Sequence, residues 1–203
     1  MAINWTTLTA SKSTSGSIAN WLNRSDIPTE NILLEAEAMI YERVRVREMQ
    51  ARSVLTFAAA DQDVALPAGF LDPIGFWPYT WSDPLPFVDY NLLGEYRDSS
   101  GTLSTGTPSR WAVLGETAYV DVLPSATFSG YVAFYKRPDA LSVSNETNWL
   151  TIRYPALLRF ACLAKGYEHM KDMQNAMTYT QMAEAKIGEA NATNELLRRN
   201  QYV

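Results

Sequence analysis

The hydrophobic period of the chain changes twice, and this constrains its fold more than any other feature. From Thr29 to Val46 the apolar residues Ile32, Leu33, Ala36, Met39, Ile40 and Val44 recur at helical spacing. Between Glu48 and Lys136 that spacing is lost, and Pro73, Pro78, Pro84 and Pro86 forbid a long helix where they fall. From Tyr154 onward the helical spacing returns and runs to about Arg199. Helical segments at both ends with extended segments between them predict an α+β chain. The expected architecture is a helical bundle built from residues 1–49 and 138–203, with a β-rich module, residues 50–137, inserted between them.

Local signals fill in the outline. Ser13, Ser15 or Ser17 caps a short helix through Asn23, with Ile18, Trp21 and Leu22 on its buried face. Pro28 marks the start of the next helix, which carries Glu30, Glu35 and Glu37 toward its N-terminus and Arg43, Arg45 and Arg47 toward its C-terminus, complementing the helix dipole. Arg52–Ala58 and Asp63–Leu66 read as extended, and Leu66-Pro67-Ala68-Gly69-Phe70-Leu71 breaks the chain before it runs on to Trp77. Phe87–Arg97 predicts a short helix with Leu92, Leu93 and Tyr96 inward. Trp111–Leu114 and Ala118–Leu123 flank Gly115-Glu116-Thr117 as a hairpin, and Phe128–Lys136 forms a further strand. Arg137-Pro138 stops that strand, and a polar loop containing Ser142, Ser144, Asn145, Glu146 and Thr147 follows. Tyr154-Pro155 opens a helix to about Lys171, and Asp172 caps a last helix with a small-residue face that includes Ala176, Ala183 and Ala190.

Composition excludes several kinds of protein. A net charge of −5 supplies no basic field for nucleic acid. The single cysteine, Cys162, rules out an intrachain disulfide framework, and the single histidine, His169, leaves most histidine-based metal clusters and triads unbuildable in one chain. No apolar run is long enough for a membrane span, and no secretory leader is expected at the N-terminus. Six Trp and eleven Tyr exceed what one small core uses, which points to protein–protein contacts.

Individual residues give the same picture. His169 sits near a helix end with Glu168 and Asp172, where an imidazole meets the dipole favourably. Cys162 lies on a Leu/Ala helix face and reads as a small core hydrophobe. Asp61, Asp63, Asp72, Asp83 and Asp89 are scattered loop acids without the glycine and later glutamate of a calcium loop. Gly101 and Gly106 lack the Lys-Ser/Thr of a phosphate loop, and Ser125 and Ser129 have no nucleophile frame. No catalytic residue, cofactor or metal site is expected. Arg43, Arg45 and Arg47 suit a phosphate clamp on DNA, a solvated helix end, or a set of intersubunit salt bridges with Glu42 and Glu48 nearby. Trp77, Tyr79 and Trp81 alternate between prolines, as in a carbohydrate or peptide groove or, the favoured reading, a protruding interface loop. The terminal Leu196, Leu197, Arg198, Arg199 and Tyr202 form either a disordered tail or a docking segment that orders on a partner.

One stretch carries a resemblance. Tyr135, Arg137 and Pro138 end a strand, Thr147-Asn148-Trp149-Leu150 close the loop, and Tyr154-Pro155 starts the helix. This pattern resembles the adaptor, or head-to-tail connector, proteins of tailed bacteriophages. The resemblance implies a structural virion protein at the neck of the particle, assembled in the host cytoplasm. It implies a homo-oligomeric ring of about twelve copies joining the portal to tail (nozzle or fibre) proteins. DNA passes through without sequence readout, no membrane is involved, and Leu196–Tyr202 reaches the portal. Arg137, Pro138, Trp149, Tyr154 and Pro155 serve as a rigid junction. Two alternatives are a tail nozzle or terminator component, and a carboxylate-based glycan hydrolase.

Overall fold

Two side-chain caps start the chain's first helices. Asn4 accepts from the Thr7 amide (2.8 Å) to begin α1, Trp5–Thr9, and Ser17 accepts from the Asn20 amide (3.0 Å) to begin α2, Ile18–Trp21. A computed structural model provides these coordinates; it describes residues 3–94 and 101–199, with side chains through residue 194. Of the three serines able to cap α2, Ser17 is the one that does so, and it is fully buried while donating to the Ser11 carbonyl.

The described residues divide into two compact units, 1–48 with 138–203 and 49–137. In the first, α3 spans Thr29–Arg43 and buries Ile32, Leu33, Ala36 and Ile40 along its stripe. A short helix the sequence analysis lacks, α4, covers Trp149–Arg153. It exists because Asn148 and Thr151 form a capping box: the Asn148 side chain accepts from the Leu150 and Thr151 amides, and Thr151 Oγ1 accepts from the Asn148 amide. Tyr154 then leaves helical geometry (φ −126°, ψ 47°), and Pro155 opens α5, Pro155–His169. Asp172 accepts from the Asn175 amide (3.2 Å) and starts α6, Met173–Arg199. Both α3 and α6 pack on α5. Ala176, Ala183, Ile187 and Ala190 form the buried row of α6, whereas Met173, Met177 and Met182 face solvent.

The second unit is β-rich. Its strands are β1 (Gln50–Phe57), β2 (Asp63–Ala65), β3 (Phe70–Pro78), β4 (Thr105–Gly106), β5 (Trp111–Leu114), β6 (Thr117–Val120), β7 (Leu123–Pro124) and β8 (Phe128–Lys136). They form antiparallel sheets of order β1-β8-β3 and β2-β6-β5, with a small parallel β4-β7 pair. Leu55, Phe57, Phe76, Leu85, Trp111, Ala118, Val120, Val132 and Phe134 make the core. Trp111 satisfies its indole N–H on the Leu85 carbonyl (3.1 Å).

The predicted helix over Phe87–Arg97 is not formed as such. Within the described part there is only a 3-10 turn, Tyr90–Leu92; Leu93 is buried, but Leu92 is 68% exposed, and Tyr96 lies outside the described residues. The cause is tertiary. Trp111 donates its amide to the Pro86 carbonyl and Val88 donates to the Trp111 carbonyl (both 3.0 Å), holding this segment extended against β5.

Candidate interaction surfaces

Glu37 organises the helical unit. It falls between Leu33 and Ile40 on the buried stripe of α3 and is 1% exposed. Its carboxylate accepts from the Leu141 amide (3.1 Å), the Tyr41 hydroxyl (2.8 Å) and the Asn148 amide group (3.2 Å), while Asn148 also donates to Tyr41 Oη (2.9 Å). A buried carboxylate needs such donors, and these tie the 138–148 loop to α3. Nearby, the Trp149 ring stands 6.3 Å from Tyr41 and edge-on to Tyr154 at 5.6 Å, with Pro155 next in sequence. Pro138 is half-buried at the start of this loop. In the β unit, Arg137 donates its amide to the Gly69 carbonyl (2.6 Å), closing β8 against the turn before β3. Gly69 takes a positive φ of 75°, which glycine tolerates without strain.

The basic cluster faces its own chain. Arg43 pairs with Glu184, Glu48 lies between Arg47 (3.8 Å) and Arg153, and Arg45 donates to the Tyr41 and Val44 carbonyls. Two asparagines of α6 clamp the backbone here. Asn191 bonds the Arg45 amide and the Arg43 carbonyl, and Asn194 bonds the Arg47 amide and the Arg45 carbonyl, all at 2.8–3.1 Å. These contacts favour the paired helix-end reading of Arg43, Arg45 and Arg47 over a DNA clamp.

Other singled-out residues stay apart. His169 is exposed in the last turn of α5. Cys162 is buried; loss of solvent first, and the nearby Glu37 second, push its thiol pKa far up, so it stays protonated and unreactive. Asp61, Asp63, Asp72, Asp83 and Asp89 are each exposed, and no group of three metal-binding side chains forms among the described residues. Asp89 caps the 3-10 turn through the Asn91 amide.

Trp77 and Tyr79 share a face of the sheet, and Trp81 does not. Strand alternation buries Phe76 and Pro78 and turns Trp77 and Tyr79 to the other face of β3. There the register aligns Val54, Tyr131 and Trp77 across β1, β8 and β3. Tyr79 meets the Tyr131 ring edge-on at 4.8 Å, and the Arg52 guanidinium lies 3.4 Å from the Tyr131 ring centroid. Trp81 turns away and packs edge-on against Phe128 at 6.3 Å. Arg52, Trp77, Tyr131 and Ala133 line a concavity of about 300 Å³. Tyr79 is 53% exposed and Val54 47%, so this is an apolar face open to water.

The family model for SU10 adaptor proteins matches residues 10–202. The chain belongs to the SU10 adaptor protein family. That family is one of phage adaptor structural proteins. No curated protein matches the chain. Among the described residues no helix is long and apolar enough to cross a membrane.

Two features of the adaptor escaped the sequence reading. Glu37 was legible in principle, because it stands four residues after Leu33 and three before Ile40, on the buried side of the wheel. Arg52 and Tyr131 gave no signal, because they meet only through the β1–β8 register. The side chains of Leu196, Leu197, Arg198 and Arg199, and all of Tyr202, lie outside the described residues.

Proposed function

We propose that this protein joins the portal of a phage head to its tail as a ring at the neck of the virion, assembled in the host cytoplasm. The family match over residues 10–202 carries the reading. About twelve copies would ring the DNA channel, each contact modest and the repetition making the seal tight. The net charge of −5 suits a wall past which DNA slides without being held. Leu196, Leu197, Arg198, Arg199 and Tyr202 would dock on the portal, with the leucines and tyrosine as apolar anchors and the arginines meeting carboxylates. Trp77, Tyr79 and Trp81 would contact a tail (nozzle or fibre) protein or the neighbouring subunit. The Glu37-centred corner, with Trp149, Tyr154 and Pro155, would keep the helices rigid under load.

The test is light scattering after size exclusion, on the protein alone and mixed with the portal of the same phage. A stoichiometric ring complex is the expected result. A protein that ignores the portal would refute the reading. Truncation after Asn194 is the informative variant, because it removes the docking segment and keeps the Asn191 and Asn194 clamps. It should abolish portal binding and leave the far-ultraviolet circular dichroism of the remaining chain intact.

A further inference from the structure

The three-stranded sheet treats its two edges differently. The outer edge of β3 is blocked: Pro73 and Pro78 lack amide protons, register shifts break the strand twice, and Leu85 donates its amide to the Phe76 carbonyl (2.7 Å). The outer edge of β1 has none of these devices. Its eight residues contain no proline and no glycine, and among the described residues its backbone bonds to no strand but β8. Long open edges are templates for an added strand, and folded proteins ordinarily block them. Beside this edge, on the exposed face, stand Arg52, Val54 and Thr56. The Arg52 guanidinium is held flat on Tyr131 and has no carboxylate partner among the described residues.

We infer that the β1 edge takes up an extended segment of a different protein as a fourth strand, and that this segment carries an acidic residue two positions from a β-branched one. Strand addition supplies main-chain hydrogen bonds along the edge, and alternate side chains supply selectivity. On the outer face an acidic side chain meets the Arg52 fork, which suits a carboxylate bidentately, and a β-branched side chain lies beside Val54. A second copy is a poor occupant. β2 and β5 are only three and four residues long, and β3 is blocked. That leaves β1 itself, which contains no carboxylate, so self-pairing leaves Arg52 unmatched. The inference stands on the sheet alone and does not require the ring.

A random eight-residue peptide display library, selected on the immobilised full chain, is the probe. The soluble consensus peptide is then measured by fluorescence anisotropy and by hydrogen exchange. The expected consensus has an acid spaced two from Val, Ile or Thr, and the peptide slows amide exchange within residues 50–57. Arg52→Glu should weaken it about tenfold or more, and Arg52→Lys, which keeps the charge and loses the flat fork, by less. Val54→Lys, at an exposed position, should weaken it without unfolding the chain. Circular dichroism checks that each variant is folded. The inference is overturned by a library without binders, by a consensus without an acid, by protection elsewhere, or by unchanged affinity in Arg52→Glu. Concentration-dependent protection of residues 50–57 in the protein alone, removed by Val54→Lys, would make a second copy the occupant and would likewise overturn it.

Discussion

The helical unit and the β unit differ in where their backbone hydrogen bonds go. Helices satisfy their own amides and carbonyls, so the segments joining them must find partners among side chains. Hence Glu37 holds the Leu141 amide, and Asn191 and Asn194 hold residues 43–47. Strands satisfy one another, so the β unit needs few side-chain clamps; its centre is a set of rings around Phe76 and Trp111, and among the described residues the outer edge of β1 stays unpaired. A helical unit with internal polar clamps is closed, whereas a sheet with one unblocked edge can accept more chain.

Five substitutions test that contrast, in descending order of effect. Trp111→Ala in the β core should cost about 3–5 kcal/mol by chemical denaturation, since it empties a fully buried ring site. A loss under 1 kcal/mol would mean that the rings do not hold this unit together.

Glu37→Ala should cost about 3 kcal/mol, because it strands buried donors at Tyr41, Leu141 and Asn148. Amide exchange at Leu141 should accelerate in the same variant. An unchanged Leu141 rate would show that the clamp is dispensable.

One glycine from each unit extends the comparison. A methyl at Gly130 would stand 2.7 Å from Pro78 Cα and closer still to the Trp77 carbonyl oxygen, both rigid backbone. Gly130→Ala should therefore cost about 2 kcal/mol in denaturation midpoints. A methyl at Gly166 would meet the buried Leu22 side chain, at its δ-methyls and Cγ, rather than backbone; that side chain must shift, while α5 gains helix propensity. Gly166→Ala should stay within about 1 kcal/mol of the parent in the same assay. Equal losses at the two sites would erase the distinction between backbone and side-chain contacts.

The smallest effect belongs to Asp26. The Arg24 guanidinium, bonding it at 2.6 and 2.8 Å, lowers its carboxyl to about 2 from 3.8. A carboxyl lowered in the folded state contributes above its unfolded value and loses that contribution as pH falls toward its folded one, so any dependence lies between about pH 4 and 2. The pair is exposed, so Asp26→Asn should leave Tm unchanged at pH 7. A carboxyl NMR titration of the parent should give the midpoint near 2, and a midpoint near 4 would contradict the pairing.

Much of the local structure was legible. The hairpin across Gly115, the end of β8 before Arg137-Pro138, the opening of α5 at Pro155 and the cap at Asp172 all follow from turn and cap chemistry in neighbouring residues. The segment after Phe87 was misread because its apolar residues fit a helix, while the Trp111 backbone, distant in sequence, claimed its hydrogen bonds. In sequence the aromatic triplet reads as an interface loop, but Trp77 lies in β3 opposite Tyr131, Tyr79 meets Tyr131 just beyond the strand, and Trp81 departs because the chain turns after Pro78.

By itself, the sequence determined the α+β class and many of the places where segments start and stop, since caps, prolines and periodicity act over a few residues. Only the tertiary structure decided that Glu37 lies inside, that Arg52 lies on Tyr131, and that among the described residues one sheet edge is unpaired while the other is blocked. Those outcomes depend on register and on packing between residues from about 80 to more than 100 positions apart. No local signal encodes such distances, because the contacts exist only once the chain has folded.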